Sequence, residues 1–271
     1  MIRRSLQVAA VLVAVAAPAA AQTRQQPNVL LTIYAGFKSG HQLWSVTRQT
    51  LTFEGTTMNP PDTVDLHRQV NSTLMVGGLF QLYRSPGLGY WLEVAFSTFG
   101  LDDTCSPVSP FQSDPPGTDA AHRNRTLCDN ITARAGGGSW LAIGAGVTLR
   151  AVARGAVSPY VRLGGNISFT TAGTIEVAAP EALGGLDRIV IRDDAPRRLL
   201  PGVLLVSGLS VALAPGYQIR LELRDQIESL EHVDGPANAL GVAPSSSRMF
   251  HQFGLALGID IVLEHKRGRR Y

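Results

Sequence analysis

The stretch MFHQFGLALGIDIVL, residues 249–263, decides the fold class of this chain. From its fifth residue onward, large apolar residues alternate with small or acidic ones: Phe253, Leu255, Leu257, Ile259, Ile261 and Leu263 lie on one parity, and Gly254, Ala256, Gly258 and Asp260 lie on the other. A period of two belongs to a β-strand and not to a helix. The stretch is long enough to cross a hydrocarbon layer as a tilted strand, which takes roughly 9–11 residues. An apolar face opposite a small and polar face is typical of a transmembrane β-barrel, which has lipid outside and packed polar side chains inside.

The same alternation recurs along the chain. It predicts further strands at residues 29–38, 72–84, 89–100, 140–153, 160–170, 200–214 and 217–230. Short turns near residues 85–88, 154–159 and 215–216 alternate with four long polar stretches, and residues 186–191 within one of these form a candidate extra strand. This order predicts an all-β fold, an eight-stranded antiparallel up-and-down transmembrane β-barrel with four long external loops.

The N-terminus has the pattern of a cleaved signal peptide. Two arginines precede an apolar run that ends in an A-x-A cleavage site before Gln22. The alternative is an uncleaved anchor, but the apolar run is short for a membrane span. We therefore divide the chain into a signal peptide (1–21), a polar lead-in (22–28), the barrel (29–263) and a basic C-terminal tail (264–271).

Composition favours membrane strands over nucleic-acid binding. Charged residues make up 17% of the chain, below the roughly 25% of ordinary soluble proteins. Loss of Arg3 and Arg4 with the signal peptide lowers the formal charge from +3 to +1, and four of the remaining basic residues lie in the tail. The body of the chain is therefore slightly acidic, and its basic isoelectric point does not indicate a nucleic-acid partner.

Two cysteines, Cys105 and Cys128, lie in the longest polar stretch. In an exported chain a pair of cysteines favours a disulfide. The alternative is two free thiols too far apart to join.

The chain resembles the small outer-membrane barrels of the OmpA/OmpX type across residues 29–263. The C-terminal assembly signal of that family is a polar residue, a glycine and two alternating large apolar residues, to which Gln252, Gly254, Leu257 and Ile259 correspond loosely. The basic tail departs from the family's usual terminal aromatic strand. The resemblance implies a bacterial outer-membrane location, with outer-membrane lipid and the barrel-assembly machinery as partners.

The strand parity places charged residues inside the barrel. These are Lys38, Glu93, Arg150, Arg162, Arg220, Glu222, Arg224 and Asp260, with Gln81 among them. An eight-stranded barrel is only wide enough for side chains to fill it, and isolated charges there are costly, so we expect these residues to pair. The alternative is a path or site for an ion or small polar ligand.

Catalytic, metal and cofactor motifs are absent from the sequence: it has no G-x-S-x-G, H-E-x-x-H, P-loop or C-x-x-C. His251 shares parity with the lipid-facing residues near the outer rim, which suits either an interfacial polar residue or a base acting on lipid. The sequence thus leaves three hypotheses. The first is a structural or surface-interaction barrel whose loops contact an extracellular ligand. The second is an outer-membrane enzyme or carrier that acts on lipid or on a small polar ligand, and the third is a soluble lipocalin-like barrel. The last requires a polar outward face, which the pattern does not provide.

Overall fold

The computed structural model describes residues 27–51, 62–108, 120–133, 135–151, 156–171, 175–180, 187–192, 198–214, 216–238 and 240–265. In chain order the elements are β1 (Pro27–Lys38), β2 (His41–Leu51), β3 (Asp62–Val70), β4 (Thr73–Tyr83), β5 (Leu88–Pro107), α1 (Ala120–Ala133), β6 (Ala135–Arg150), β7 (Val157–Thr170), β8 (Val177–Pro180), β9 (Asp187–Ile191), β10 (Leu199–Ala214), β11 (Tyr217–Val233) and β12 (Ser245–His265). The predicted signal peptide, most of the lead-in and residues 266–271 of the predicted tail lie outside these ranges.

Eight of the described strands form a closed antiparallel ring in the order β1, β4, β5, β6, β7, β10, β11, β12 and back to β1. Successive ring strands are joined alternately by short connections, of at most six residues after β4, β6 and β10, and by long ones. We call the two ends of the barrel the turn end and the cap end. The predicted fold class is confirmed.

The strand parity separates an apolar exterior from a polar interior. On β12, Leu257 is 59% exposed and Ile259 54%, while their neighbours Ala256 and Asp260 expose 2% and 0%. The same contrast recurs around the ring, where exposed leucine, isoleucine, valine and phenylalanine side chains form a continuous outer belt. Such a belt on a closed ring of strands is the surface of a membrane-spanning barrel.

The described parts of the long connections at the cap end contain further strands and a helix. Strands β2 and β3 form a hairpin whose second strand pairs with the extended end of β5, and β8 and β9 form another hairpin. These hairpins, α1 and residues 234–238 and 240–244 together form a unit that we call the cap. Its buried apolar side chains, among them Trp44, Leu66, Leu127 and Ile191, form one cluster with inward-facing residues at the ends of the ring strands, such as Trp140. The cap therefore packs onto the mouth of the barrel.

The disulfide joins the cap to the ring. Cys105 near the end of β5 is bonded to Cys128 in α1, with 5.3 Å between their Cα atoms. This predicted bridge is confirmed. The structure adds α1 to the stretch that the sequence pattern treated as a loop, and it also contains the candidate extra strand at residues 187–191. Among the described residues, no helix is long and apolar enough to cross a membrane.

Candidate functional site

The barrel interior contains a group of buried charged side chains. Its side chains fit together because large residues lie opposite small ones on neighbouring strands. Arg220 on β11 pairs across the strands with Gly258 on β12, and Glu222 pairs with Ala256. The small inward side chains of β12 therefore leave space for the long charged side chains of β11.

Glycines also make room for two interior tyrosines. A Cβ atom added at Gly77 would lie 2.3 Å from Oη of Tyr34, and one at Gly208 would lie 2.5 Å from the ring of Tyr160. Both hydroxyls donate to interior carboxylates, Tyr34 to Glu93 at 2.9 Å and Tyr160 to Glu222 at 2.8 Å. The glycines thus allow aromatic side chains to lie flat across the lumen and support the charged network.

Arg162 links the two glutamates at the centre of the barrel. Its Nη1 lies 2.7 Å from Oε2 of Glu93, and its Nη2 lies 2.8 Å from Oε2 of Glu222. Arg224 contacts the same two carboxylates, Glu93 through Nη2 and Glu222 through Nη1 at 3.3 Å. The indole of Trp91 lies 5.2 Å from the Arg162 guanidinium, a distance that favours a cation–π interaction.

Arg220 and Asp260 extend the network toward the turn end. Arg220 donates from Nε and Nη2 to the two carboxylate oxygens of Asp260, at 2.8 and 2.9 Å. Nη2 also donates to Oε1 of Gln81, and Thr32 donates to Asp260 at 2.6 Å. Paired donors from one guanidinium to one carboxylate give both strength and fixed geometry. Arg220 reaches Glu222 as well, at 3.4 Å, so the two parts form one network.

The charges in this network balance, since three arginines face three carboxylates. All six side chains are nearly inaccessible to solvent, and Arg162 and Asp260 are fully buried. Charges removed from water are tolerated only when partners and further hydrogen bonds satisfy them. Each of the six side chains has an oppositely charged partner within 3.4 Å, while Nε of Arg162 has no hydrogen-bond partner among the described residues.

The structure brings together six of the eight predicted interior charges: Glu93, Arg162, Arg220, Glu222, Arg224 and Asp260. Lys38 and Arg150 lie apart from them. Lys38 lies at the cap end, with its ammonium 5.4 Å from the centre of the Trp140 ring. Arg150 lies at the turn end, with its guanidinium 3.8 Å from the centre of the Tyr83 ring.

A second polar cluster, centred on Glu228, was missed in the sequence although it has the same inward parity. Glu228 is fully buried and accepts hydrogen bonds on Oε1 from Asn166 at 2.9 Å, from Ser168 and from Gln226. Within the described part of the chain, its Oε2 has no hydrogen-bond partner, and neither has Oε1 of Gln252. The parity that identified Arg220, Glu222 and Arg224 continues to this residue and is the signal that could have found it.

His251 lies on the outer wall of the barrel, as its parity predicted. Its Nδ1 is 2.9 Å from Oδ2 of Asp225, an acidic residue that interrupts the outward apolar row of β11. Across the described ranges, no group of three histidine, cysteine or acidic side chains is placed to hold a metal ion.

No family model matches this chain, and no curated protein matches its sequence. The chain is similar to the solved structure of the outer membrane protein OprG from Pseudomonas aeruginosa, at 13% identity over 88% of this chain and 97% of that one, with a TM-score of 0.47. It is also similar to Ail, the attachment invasion locus protein of Yersinia pestis, at 12% identity over 87% and 98% of the two chains, with a TM-score of 0.38. A third similar structure is the N-terminal β-barrel domain of OprF from Pseudomonas aeruginosa, at 10% identity over 88% and 98%, with a TM-score of 0.32.

The membrane assignment rests on the chain's own geometry. A closed antiparallel ring with an apolar belt, short turns at one end and long connections at the other is the architecture of bacterial outer-membrane barrels. The chain therefore has the fold of a small outer-membrane β-barrel.

Proposed function

We propose that this outer-membrane barrel has a closed, side-chain-filled lumen and acts as a structural or surface-interaction protein through its folded cap. Outer-membrane lipid and the barrel-assembly machinery are its expected partners in the envelope, and an extracellular ligand is the expected partner of the cap. The observation that carries the proposal is the network across the lumen in which three arginines balance three carboxylates: Arg162, Arg220, Arg224, Glu93, Glu222 and Asp260.

Closure of the lumen follows from both charge and volume. An ion entering the barrel has to displace arginines and carboxylates that already satisfy each other at distances near 2.8 Å. Tyr34, Trp91 and Tyr160 occupy the space around them, and each is only 3% exposed. A small barrel filled in this way is a rigid support and not a channel.

The cap supplies a surface suited to binding. Its apolar cluster and the Cys105–Cys128 bridge hold its hairpins and helix in fixed positions relative to the ring. Loops with a fixed conformation lose less entropy when a partner binds. The long connections of outer-membrane barrels face the cell exterior, which is where the cap would meet such a partner.

Two measurements test this proposal. The purified full chain, reconstituted in planar bilayers, should show no discrete conductance steps, and a steady open channel would contradict the closed lumen. Replacing residues 41–70 by a short glycine-serine turn should change the adhesion of cells that express the chain, while the heat-dependent gel shift of the folded barrel persists. Unchanged adhesion would argue against a role for this part of the cap.

A carrier for a small polar ligand is a second candidate, favoured by the cluster near Glu228. Lys38 and Glu228 carry opposite charges, interact electrostatically and are both buried, while Oε2 of Glu228 and Oε1 of Gln252 have no partner among the described residues. A small zwitterion such as glycine matches these groups. Uptake of labelled glycine into proteoliposomes, lost in Glu228→Leu, would support a carrier, and a change in envelope lipids after deletion of the gene would support an enzyme acting on lipid.

A further inference from the structure

A hydrogen-bonded pair of an aspartate and a histidine lies on the lipid-facing wall of the barrel. Asp225 on β11 and His251 on β12 both point outward, and His251 is stacked on Phe253, with 6.0 Å between the ring centres. The side chain of His251 is 52% exposed and that of Asp225 is 19% exposed. The carboxylate accepts Nδ1–H of the imidazole on Oδ2, while its Oδ1 is buried and has no hydrogen-bond partner in the described residues.

The pair lies within the apolar belt and not beyond its edge. Asp225 is paired across the strands with Phe253 on one side and Leu205 on the other. Farther toward the cap end, Val203 on β10 and Met249 on β12 are still exposed and apolar. Charged side chains on the lipid face of a barrel are costly, and ionisable groups at membrane depth point to a functional site.

A groove in the outer wall begins at Asp225 and extends toward the turn end. Its volume is about 530 Å³, and its outward lining includes Val161, Leu205, Ser207, Leu223, Asp225 and Phe253. The small side chain of Ser207 lies between Val161 on one neighbouring strand and Leu223 on the other, which leaves a depression in the belt. The groove is therefore apolar along its length and charged at its cap-side end.

We propose that this groove and the Asp225–His251 pair form a binding site for a membrane lipid of the cap-side leaflet, one whose head carries an N–H or O–H donor beside a phosphate. The lipid chain lies in the groove over Ser207, because the groove runs from the pair toward the middle of the membrane. The donor of the head hydrogen-bonds to the exposed part of the Asp225 carboxylate, and a phosphate oxygen accepts Nε2–H of His251 when the imidazole carries both protons.

The direction of the groove selects a lipid as the occupant. Molecules that reach an outward-facing groove within the belt come from the bilayer, and a lipid of this leaflet has its head toward the cap and its chains toward the turn end. The Asp225–His251 pair lies on the cap side and the groove extends from it toward the turn end, which matches the order of head and chains in such a lipid. A pair that served only to anchor the barrel at the interface would need no groove and would not distinguish between lipid heads.

The test measures which lipid the full chain retains. The protein is reconstituted in bilayers of phosphatidylcholine with a minor fraction of phosphatidylethanolamine of identical chains, extracted in detergent, and analysed by native mass spectrometry. Both heads carry a phosphate, but only ethanolamine has N–H donors. Because a hydrogen bond to a charged group is worth about a tenfold change in affinity, we expect retained phosphatidylethanolamine to be enriched about tenfold over its share of the bilayer.

Three variants make the result specific to the site. Asp225→Leu should abolish the enrichment while the barrel still folds, because leucine suits a lipid-facing position. Ser207→Leu fills the groove without touching the pair and should reduce retention of both lipids. The matched control Leu92→Ala, at an exposed position on β5, should leave the enrichment unchanged.

Two outcomes would overturn the proposal: no preference for ethanolamine in the parent protein, or an equal preference in the parent and in Asp225→Leu. If Asp225→Leu fails to give the gel shift of a folded barrel, Ser207→Leu provides the test instead. Unchanged retention of both lipids in Ser207→Leu would contradict a lipid site in the groove. The inference does not depend on the closed lumen or on the cap. The lipid site can therefore fail while the proposed function holds, and the proposed function can fail while the lipid site holds.

Discussion

Arg162→Met removes the side chain that links the two central carboxylates and should strongly destabilise the barrel. Methionine has a similar length and keeps the lumen filled, so the change removes charge and hydrogen bonds with little change in packing. Arg162 donates three hydrogen bonds, one to Glu93 and two to Glu222, at 2.7–3.0 Å. Without it, three buried carboxylates face two arginines, and one negative charge is left uncompensated.

The expected loss is about 3–5 kcal/mol in the free energy of unfolding, which is typical when one partner of a buried ion pair is removed. Arg224 still contacts both glutamates, so the carboxylates are not isolated, and the loss should not exceed this range. A matched control is Arg248→Met. Arg248 is 59% exposed on its side chain and pairs with Asp234 at 2.8 Å, so its removal should cost about 1 kcal/mol or less.

The assay is urea unfolding of the folded protein in lipid vesicles, followed by far-ultraviolet circular dichroism. This signal is preferred to tryptophan fluorescence, because Trp91 lies against Arg162 and its emission would change for local reasons. If Arg162→Met and Arg248→Met lost the same small amount of stability, the interior network would not be a structural ion network, and the reasoning about the lumen would be refuted.

Three further predictions follow from the cap and the lumen. Replacing Cys105 and Cys128 by serine should destabilise the cap by roughly 3 kcal/mol, because the bridge no longer restricts a loop of 23 residues in the unfolded state. The variant should expose α1 to protease while the heat-dependent gel shift is kept. A cap as resistant to protease as that of the parent protein would contradict this prediction. Gly208→Ala should cost about 1–3 kcal/mol by overpacking, because the new Cβ would lie 2.5 Å from Tyr160, and wild-type stability in urea unfolding would count against that contact. Arg220→Met should leave planar bilayers non-conducting, because the aromatic and polar neighbours of residue 220 still fill the lumen. New conductance steps in this variant would show that the arginine alone blocks a pore.

The ring could be predicted because its strands carry an unbroken period of two. In residues 253–260 each outward position is large and apolar and each inward position is small or acidic, and a one-residue shift would exchange the two faces. The interior charges followed from the same parity. Their partners did not, because which of Glu93, Glu222 and Asp260 meets which arginine depends on the stagger between strands, and parity alone does not determine it.

The cap could not be predicted from a period of two, because its elements bury their residues against one another and not against a membrane. In α1 the buried residues Asn124, Leu127, Cys128 and Ile131 have helical spacing, but the helix lies among proline-rich and polar residues that indicated a loop. Asp225 was missed for a related reason. It is a single charged residue in an apolar row. Its partner His251 lies diagonally across from it, and the two meet only when β11 and β12 pair in this register.

The orientation of the strand faces is the central claim, and spin-label accessibility along β12 tests it most directly. Single cysteines are placed in turn at residues 253–263 in a variant that lacks Cys105 and Cys128, labelled, and measured in bilayers with oxygen and with an aqueous nickel complex as relaxation agents. The structure predicts high oxygen accessibility at Leu255, Leu257 and Ile259, and low accessibility to both agents at Ala256 and Gly258. Nickel accessibility at the inward positions, or a period longer than two, would contradict a filled barrel with its apolar rows in lipid.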